Sequence, residues 1–332
     1  MPIFKPTRRA VMIGAAAGAA MLGARPRPAR AATVLRWATV LTASHPSVVM
    51  MQKVAAEIRE QTGGAVEIQT FPSGQLGSSR DVIEATSSGA IQMVDEGAAQ
   101  FGQFVAPFSI LEAPYIWRDP AHMRRAFQAP LMDDMNGQLV AKRDMRVIGS
   151  TYYGTRHVTS GARAVHNAAE MNGFKLRIPE VDTYRAMAEA WGARPTPLNI
   201  GELYLALSQG AVDGEENPLP TIQSSKFYEV QKYLILTAHI MSPRVIVINE
   251  DAWKTLDAKQ QELLRDSLAR HGREQDDEIV RQEAQLSATF RTAGMTVIEP
   301  DLESFRKPVL ASLPGKFEAK WGKGLWDRVV SA

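Results

Sequence analysis

Between Thr33 and Val94, strand-like and helix-like patterns alternate in the order strand, helix, strand, helix, strand, and this order limits the fold more than any other feature. "TVLRWATV" (33–40) reads as a strand. "SVVMMQKVAAEIREQ" (47–61) puts Val48, Met51, Val54, Ala55 and Ile58 on one helical face, and Gly63 and Gly64 stop it. "AVEIQTF" (65–71) alternates with period two. "SSRDVIEATSSG" (78–89) opens with a serine cap and closes on glycine, and "AIQMV" (90–94) is the third strand. Such a run builds a parallel sheet with helices on both faces, and ligands of these sheets sit beyond the carboxyl ends of the strands.

A second α/β set starts near "MRVIGSTYYGTR" (145–156). It continues through "FKLRIP" (174–179), a helix around 181–191, the helix "GELYLALSQG" (201–210) and the buried strand "VIVIN" (245–249). Two such units predict two lobes facing a cleft. Residues 257–292 contain no proline and a single glycine, Gly272. The pattern allows one long helix, or two shorter ones broken at Gly272.

The first 31 residues have the form of a secretory signal. Arg8 and Arg9 precede an uncharged run from Ala10 to Ala24, followed by Pro26, Pro28 and the small-residue triplet Ala29-Arg30-Ala31. The paired arginines suit the twin-arginine route, and cleavage near Ala31 delivers a mature chain starting near Ala32 to the periplasm. These residues carry six basic side chains and no acidic one, so the net charge of +2 becomes −4 beyond them. A mildly acidic chain has no electrostatic footprint for nucleic acid, and no later apolar run approaches the roughly 20 residues needed for membrane insertion. With no cysteine, the chain has neither disulfides nor thiol chemistry.

Catalytic templates are absent. The six histidines are scattered, with no H-E-x-x-H, no G-x-S-x-G and no phosphate loop in "FPSGQLG" (71–77). Nothing asks for ATP, a metal or another cofactor. The remaining signal is basic. Arg177 holds the last paired position of "FKLRIP" before Pro179, and Arg156 ends "STYYGTR". Each is either a solvated edge charge or a cation placed for a ligand. Adjacent parallel strands ending together would bring both guanidinium groups, which match carboxylates in a fork, to one rim.

The blocks "FPSGQLGSSRDVIEATSSGAIQM", "PYIWRDPAH", "GTRHVTS", "NGFKLRIPEVDTYRAMAEAWGARPTP" and "GELYLALSQGAVDGEENPLPTIQSSKFYEVQKYLILTAH" together resemble the substrate-binding proteins of tripartite ATP-independent periplasmic (TRAP) transporters, from about Thr33 to Leu302. The resemblance implies an α/β, two-lobed periplasmic binding protein (a Venus flytrap) with a long helix, here 257–292, across both lobes. It implies capture of a small organic acid, such as a C4-dicarboxylate or sugar acid, and delivery to small and large membrane permease subunits. The lobes are expected at 33–153 plus about 243–282, and at 154–242 plus about 283–332.

The resemblance also assigns residues. Arg177 is the principal carboxylate-binding arginine, Arg156 the second, and Asn217 an amide donor to the same carboxylate, with Glu216 beside it holding the loop. In relatives that bind sialic acid, the loop after the first strand supplies polar groups, here Thr42, Ser44 and His45. An acid follows the third strand, where Gly97 stands after Asp95 and Glu96, and Ile200 replaces an aromatic wall. Tyr152 and Arg244 are further candidates, Arg244 either pairing a second acid group or forming a structural interlobe salt bridge. The chain is read as a binding protein and not an enzyme. The alternatives are a sensor-associated binding protein and a secreted enzyme acting on an organic acid.

Overall fold

The computed structural model describes residues 32–127 and 130–332, so the expected leader at 1–31 lies outside the described residues. Residues 33–332 form one compact unit built on a single nine-stranded sheet. The strands are β1 (Thr33–Ala38), β2 (Val66–Phe71), β3 (Met93–Gly97), β4 (Met145–Ser160), β5 (Lys175–Ile178), β6 (Arg194–Pro197), β7 (Gly214–Pro218), β8 (Tyr233–Asn249) and β9 (Thr296–Ile298). The helices are α1 (Pro46–Gln61), α2 (Ser79–Ser87), α3 (Pro120–Phe127), α4 (Pro130–Arg143), α5 (Asp182–Ala190), α6 (Ile200–Ser208), α7 (Leu219–Ser224), α8 (Glu250–Thr255), α9 (Ala258–Thr292), α10 (Leu302–Trp321) and α11 (Leu325–Val330).

The strand order is β2-β1-β3-β8-β4-β7-β5-β6, with β9 on the far half of β8. The opening βαβαβ unit is parallel, as its alternation requires. Its side chains divide between two cores. Leu35, Trp37 and Met93 pack with Val48, Met51 and Val54 of α1, while Ala38 and Val94 pack with Val82 and Ile83 of α2. Successive residues of a strand point to opposite faces, so the two helices cover opposite sides of the sheet. The third strand starts later than its apolar run suggests. It runs from Met93 to Gly97, placing Asp95 and Glu96 inside the strand.

Two long antiparallel strands join the halves of the molecule. The first part of β4 pairs with β8 at Arg244–Asn249, and β8 there also pairs with β3. The second part of β4 pairs with Tyr233–Ile240 of β8 on one side and with β7 on the other. Register shifts interrupt the β4–β8 ladder, one of them between Tyr152 and Gly154. "VIVIN" is therefore the end of a 17-residue strand, which also contains Arg244. Arg156 does not end β4, which runs on to Ser160. β4 and β5 are not adjacent parallel strands either: β7 lies between them, antiparallel to β4.

Helix α9 is unbroken over 35 residues. Asp257 and Gln260 form a reciprocal capping box at its start. Gly272 does not break it. The helix passes over β4 there, and a side chain on Gly272 would begin 3.3 Å from the Thr151 methyl. α9 packs on α1, α7, β4 and β9, and so spans both halves of the sheet. It is bolted where the β4 register shifts. The Tyr152 N–H donates to Asp276 at 2.7 Å, the Thr155 N–H donates to Glu283 at 2.5 Å, and Gln275 donates to the Tyr152 carbonyl at 2.9 Å.

Candidate functional site

One cavity lies where the carboxyl ends of β1, β3, β5 and β6 converge. Its walls include Leu41, Ser79, Arg80, Glu96, Gly97, Glu112, Tyr153, Arg156, Arg177, Tyr184, Leu198, Ile200, Asn217 and Arg244. This is the position that open parallel sheets leave for ligands. Arg177 reaches it from β5, whose other face sends Leu176 and Ile178 into the core. Pro179, which has no N–H, follows the strand and also lines the cavity.

Arg177 is 4 % exposed, so it is no solvated edge charge. Its Nε and Nη2 donate to the Leu198 carbonyl at 2.9 and 2.6 Å, which fixes the guanidinium plane. Among the described residues no carboxylate stands within 4.0 Å of it. Burial lowers its pKa, and the nearby charges of Glu216 and Glu215 oppose this. Guanidinium ionises so weakly that the group stays cationic. A buried cation with no directly bonded carboxylate among the described residues leaves a place for an anion in the cavity.

The other two buried arginines of the cavity are already paired. Nε of Arg156 donates to Glu216 at 2.5 Å, and its Nη2 donates to Glu216 Oε1 at 2.9 Å and Asn217 Oδ1 at 3.0 Å. Its guanidinium also lies 5.2 Å from the centre of the Tyr184 ring. Burial works against the Arg156 charge, but Glu216, Tyr184 and Tyr153 together hold its pKa well above the usual value. Nε of Arg244 donates to Asp95 at 2.8 Å, across the β3–β8 pair, and the ring of Tyr153 lies beneath it. Glu216, which the resemblance assigns to holding the loop, thus holds Arg156, and also contacts His239 at 3.1 Å.

Two further carboxyls face the cavity. Glu96 accepts from the Ser79 hydroxyl at 3.1 Å. Glu112 accepts from the Ala99 N–H at 2.9 Å and from the Tyr184 hydroxyl at 3.1 Å. Burial raises both, Glu96 to about 7 although Arg244 opposes the shift. In the unfolded chain Glu96 titrates near 4.5. Between pH 4.5 and 7 the folded state therefore keeps a proton that the unfolded chain releases. The stability this carboxyl contributes is present in full below 4.5 and lost as pH rises through 7. Glu96→Gln stays neutral throughout, so its melting temperature relative to wild type should climb across this window and level off above it. A constant difference from pH 4.5 to 8, measured by calorimetry, would rule out this titration.

A model of bacterial extracellular solute-binding proteins, family 7 (DctP), matches residues 37–318. The chain belongs to the DctP family. Over 301 residues it is 30% identical to the sialic acid-binding periplasmic protein SiaP of Vibrio cholerae, covering 91% of this chain and 93% of SiaP. Solved TRAP periplasmic solute-binding proteins share its fold. One from Roseobacter denitrificans, with bound 3-deoxy-D-manno-oct-2-ulosonic acid, superposes with a TM-score of 0.85 at 29% identity, covering 90% of this chain and 98% of the other. One from a Polaromonas species, bound to D-erythronate, gives 0.85 at 30% identity over the same shares. This DctP-family chain thus has the two-lobed α/β fold of TRAP solute-binding proteins, with α9 as its long helix.

Of the residues singled out in the sequence, this DctP-family fold brings Arg177, Arg156, Asn217, Arg244, Glu96 and Ile200 to one cavity. It does not bring Ser44, His45 or Tyr152 there. Ser44 is exposed on another surface, in a cleft beside α9. His45 is buried and accepts from the Ser47 N–H, capping α1, while its Nε2 lies 3.3 Å from the Thr221 hydroxyl. Tyr152 points to Glu283 and Thr155, and its neighbour Tyr153 faces the cavity, because adjacent strand residues point oppositely. The Asn217 amide N–H₂ donates to Glu215 at 2.5 Å, so it is engaged within the protein. Arg244 pairs with Asp95 at 2.8 Å and lies 3.7 Å from Glu96, both on the neighbouring strand β3, so these ion pairs lie within one expected lobe and do not bridge the two. Sequence reasoning missed Glu112. The available signal was its place as the only charge in the apolar run "VAPFSILEAPYIW" (105–117).

Proposed function

We propose that this chain is the periplasmic receptor of a TRAP transporter, capturing a small organic acid through Arg177 and delivering it to small and large membrane permease subunits. The observation that carries the reading is the buried Arg177 guanidinium, with no carboxylate within 4.0 Å among the described residues, at the carboxyl ends of the strands. In this reading the anion takes the remaining Nη1 of Arg177, with Arg156 and Asn217 beside it. Glu216 holds Arg156 in place. The ligands bound in the related structures, 3-deoxy-D-manno-oct-2-ulosonic acid and D-erythronate, are both organic acids, which supports this chemistry.

The lobes proposed are 33–153 with about 243–282, and 154–242 with about 283–332. Two features support a hinge at their junction. The β4–β8 ladder loses register between Tyr152 and Gly154, and Gly154 has φ of +122°, a backbone conformation costly for other residues. Closure follows from a preference of the ligand for the shut form, where groups of both lobes reach it. Among the described residues no helix is long and apolar enough to cross a membrane, so translocation is assigned to the permease subunits. The proposed twin-arginine leader ends near Ala31. No turnover is proposed, and the bound acid should be released unchanged.

A thermal-shift screen of organic acids tests the reading. Ligand at a hundred times its dissociation constant contributes about 2.7 kcal/mol, which gives a clear rise in melting temperature. At least one acid should produce such a rise, and mass spectrometry should recover it intact from the protein. A screen of aldonates, keto acids and dicarboxylates with no shift would overturn the receptor reading.

A further inference from the structure

From the charge pairing around the cavity we infer that the ligand is a monocarboxylate carrying hydroxyl groups at its far end, and that Glu96 and Glu112 exclude a second carboxylate. The inference rests on the receptor reading and narrows it. Four arginines line the cavity. Three are neutralised by the protein: Arg80 by Glu84 at 3.0 Å, Arg156 by Glu216 at 2.5 Å and Arg244 by Asp95 at 2.8 Å. Arg177 is the one lining arginine without a carboxylate within 4.0 Å among the described residues. The cavity therefore has one cation without a directly bonded carboxylate, and room beside it for one anionic end.

Two acceptors line the rest of the cavity, Glu96 on the β3 side and Glu112 against Tyr184 of α5. Glu96 sits on β3, four strand spacings from β5, or about 19 Å between backbones. It is 2 % exposed and Glu112 is 3 % exposed. Gly97 makes the space for Glu112, because a side chain on Gly97 would begin 3.0 Å from Glu112 Oε2. Each of these carboxyls accepts only one or two hydrogen bonds from the protein, and a carboxylate has about four acceptor positions. A ligand hydroxyl can donate to the unused positions. A second carboxylate has no proton to donate, and above the Glu96 titration near 7 it would lie against like charge, with Arg244 already bonded to Asp95 and 3.7 Å from Glu96, and Arg156 already bonded to Glu216. The Gln100 and Gln103 side chains, also on the wall, offer neutral amides that suit hydroxyls.

Matched acids differing only at the far end test this. Calorimetric titrations at pH 8 would compare erythronate with meso-tartrate and galactonate with galactarate, alongside pyruvate and succinate. The inference expects at least one hydroxylated monocarboxylate to bind, and its dicarboxylate partner to bind at least a hundredfold more weakly. A dicarboxylate bound as tightly as or tighter than its partner overturns the inference and leaves the receptor reading standing. If none of these acids binds, the receptor reading falls and the inference with it. Glu112→Gln removes the charge and keeps the shape, so it should narrow the gap between galactonate and galactarate at least tenfold. Glu96→Gln is the second variant should the first fail to fold. Equal weakening of both acids in each folded variant would mark a structural role and overturn the assignment of these residues.

Discussion

Arg177→Lys is expected to weaken organic-acid binding at least tenfold, and Arg177→Met to abolish it. The guanidinium uses Nε and Nη2 on the Leu198 carbonyl, which leaves Nη1 for the proposed ligand contact. Lysine keeps the charge, but its single ammonium cannot occupy a fixed plane that serves both partners. Each charge-assisted hydrogen bond contributes roughly 1.5–3 kcal/mol, against about 8 kcal/mol for a micromolar complex. Losing two such bonds moves binding into the millimolar range. A control at the neighbouring arginine separates binding from folding. Arg156→Met strands Glu216, which is fully buried, and should cost about 3–5 kcal/mol in urea denaturation. Arg177→Met strands no carboxylate at bonding distance, so the apo protein should lose far less. Calorimetry finding Arg177→Lys equal to wild type would remove the carboxylate grip.

Gly214→Ala should destabilise the protein by more than about 3 kcal/mol and lower its yield as folded chain. Gly214 opens β7, opposite Ser160 of β4. A side chain there would begin 2.0 Å from the Thr159 carbonyl oxygen and 2.8 Å from the Phe174 ring. Neither is the loose end of a flexible chain. The backbone oxygen can retreat only by parting β4 from β7, which carries Glu216 and Asn217 away from the Arg156 they hold. Binding should therefore fall with stability. Gly137→Ala is the contrasting case. It lies inside α4 with nothing within 4 Å of the added carbon, so alanine should stabilise by about 0.5–1 kcal/mol through helix preference alone. Comparable urea midpoints for the two variants would contradict the steric argument.

Local pattern carried the parts of the fold that local physics decides. The alternation of 33–94 reads directly because each element has one buried face. The 35-residue helix was readable as an uninterrupted run, but whether Gly272 breaks it depends on Thr151 lying close by, which no local window contains. The full length of β8 was hidden by Pro243. That residue sits opposite Tyr152 at the ladder irregularity, where proline is tolerated in a sheet. Asp95 and Glu96 looked like loop residues because charge normally ends a buried strand. Their burial depends on Arg244, about 150 positions away, and no periodicity reports such a partner.

The site was legible in the same uneven way. Arg177 and Arg156 were identifiable as residues, but the geometry that gathers them differs from two parallel strands ending together. They approach from strands separated by β7. Which arginine remains free for a ligand follows from three ion pairs linking residues far apart in the chain or on a helix turn. Ser44 and His45 carry polar groups suited to a binding loop, yet His45 is spent on capping α1 and bridging to Thr221.

A crystal structure of the protein closed on a bound aldonate tests the central claim most directly. The account predicts the ligand carboxylate within hydrogen-bond distance of Arg177, its hydroxyls toward Glu96 and Glu112, and the Arg156–Glu216 pair intact. A carboxylate held elsewhere, with Arg177 bonded only to Leu198, would contradict it.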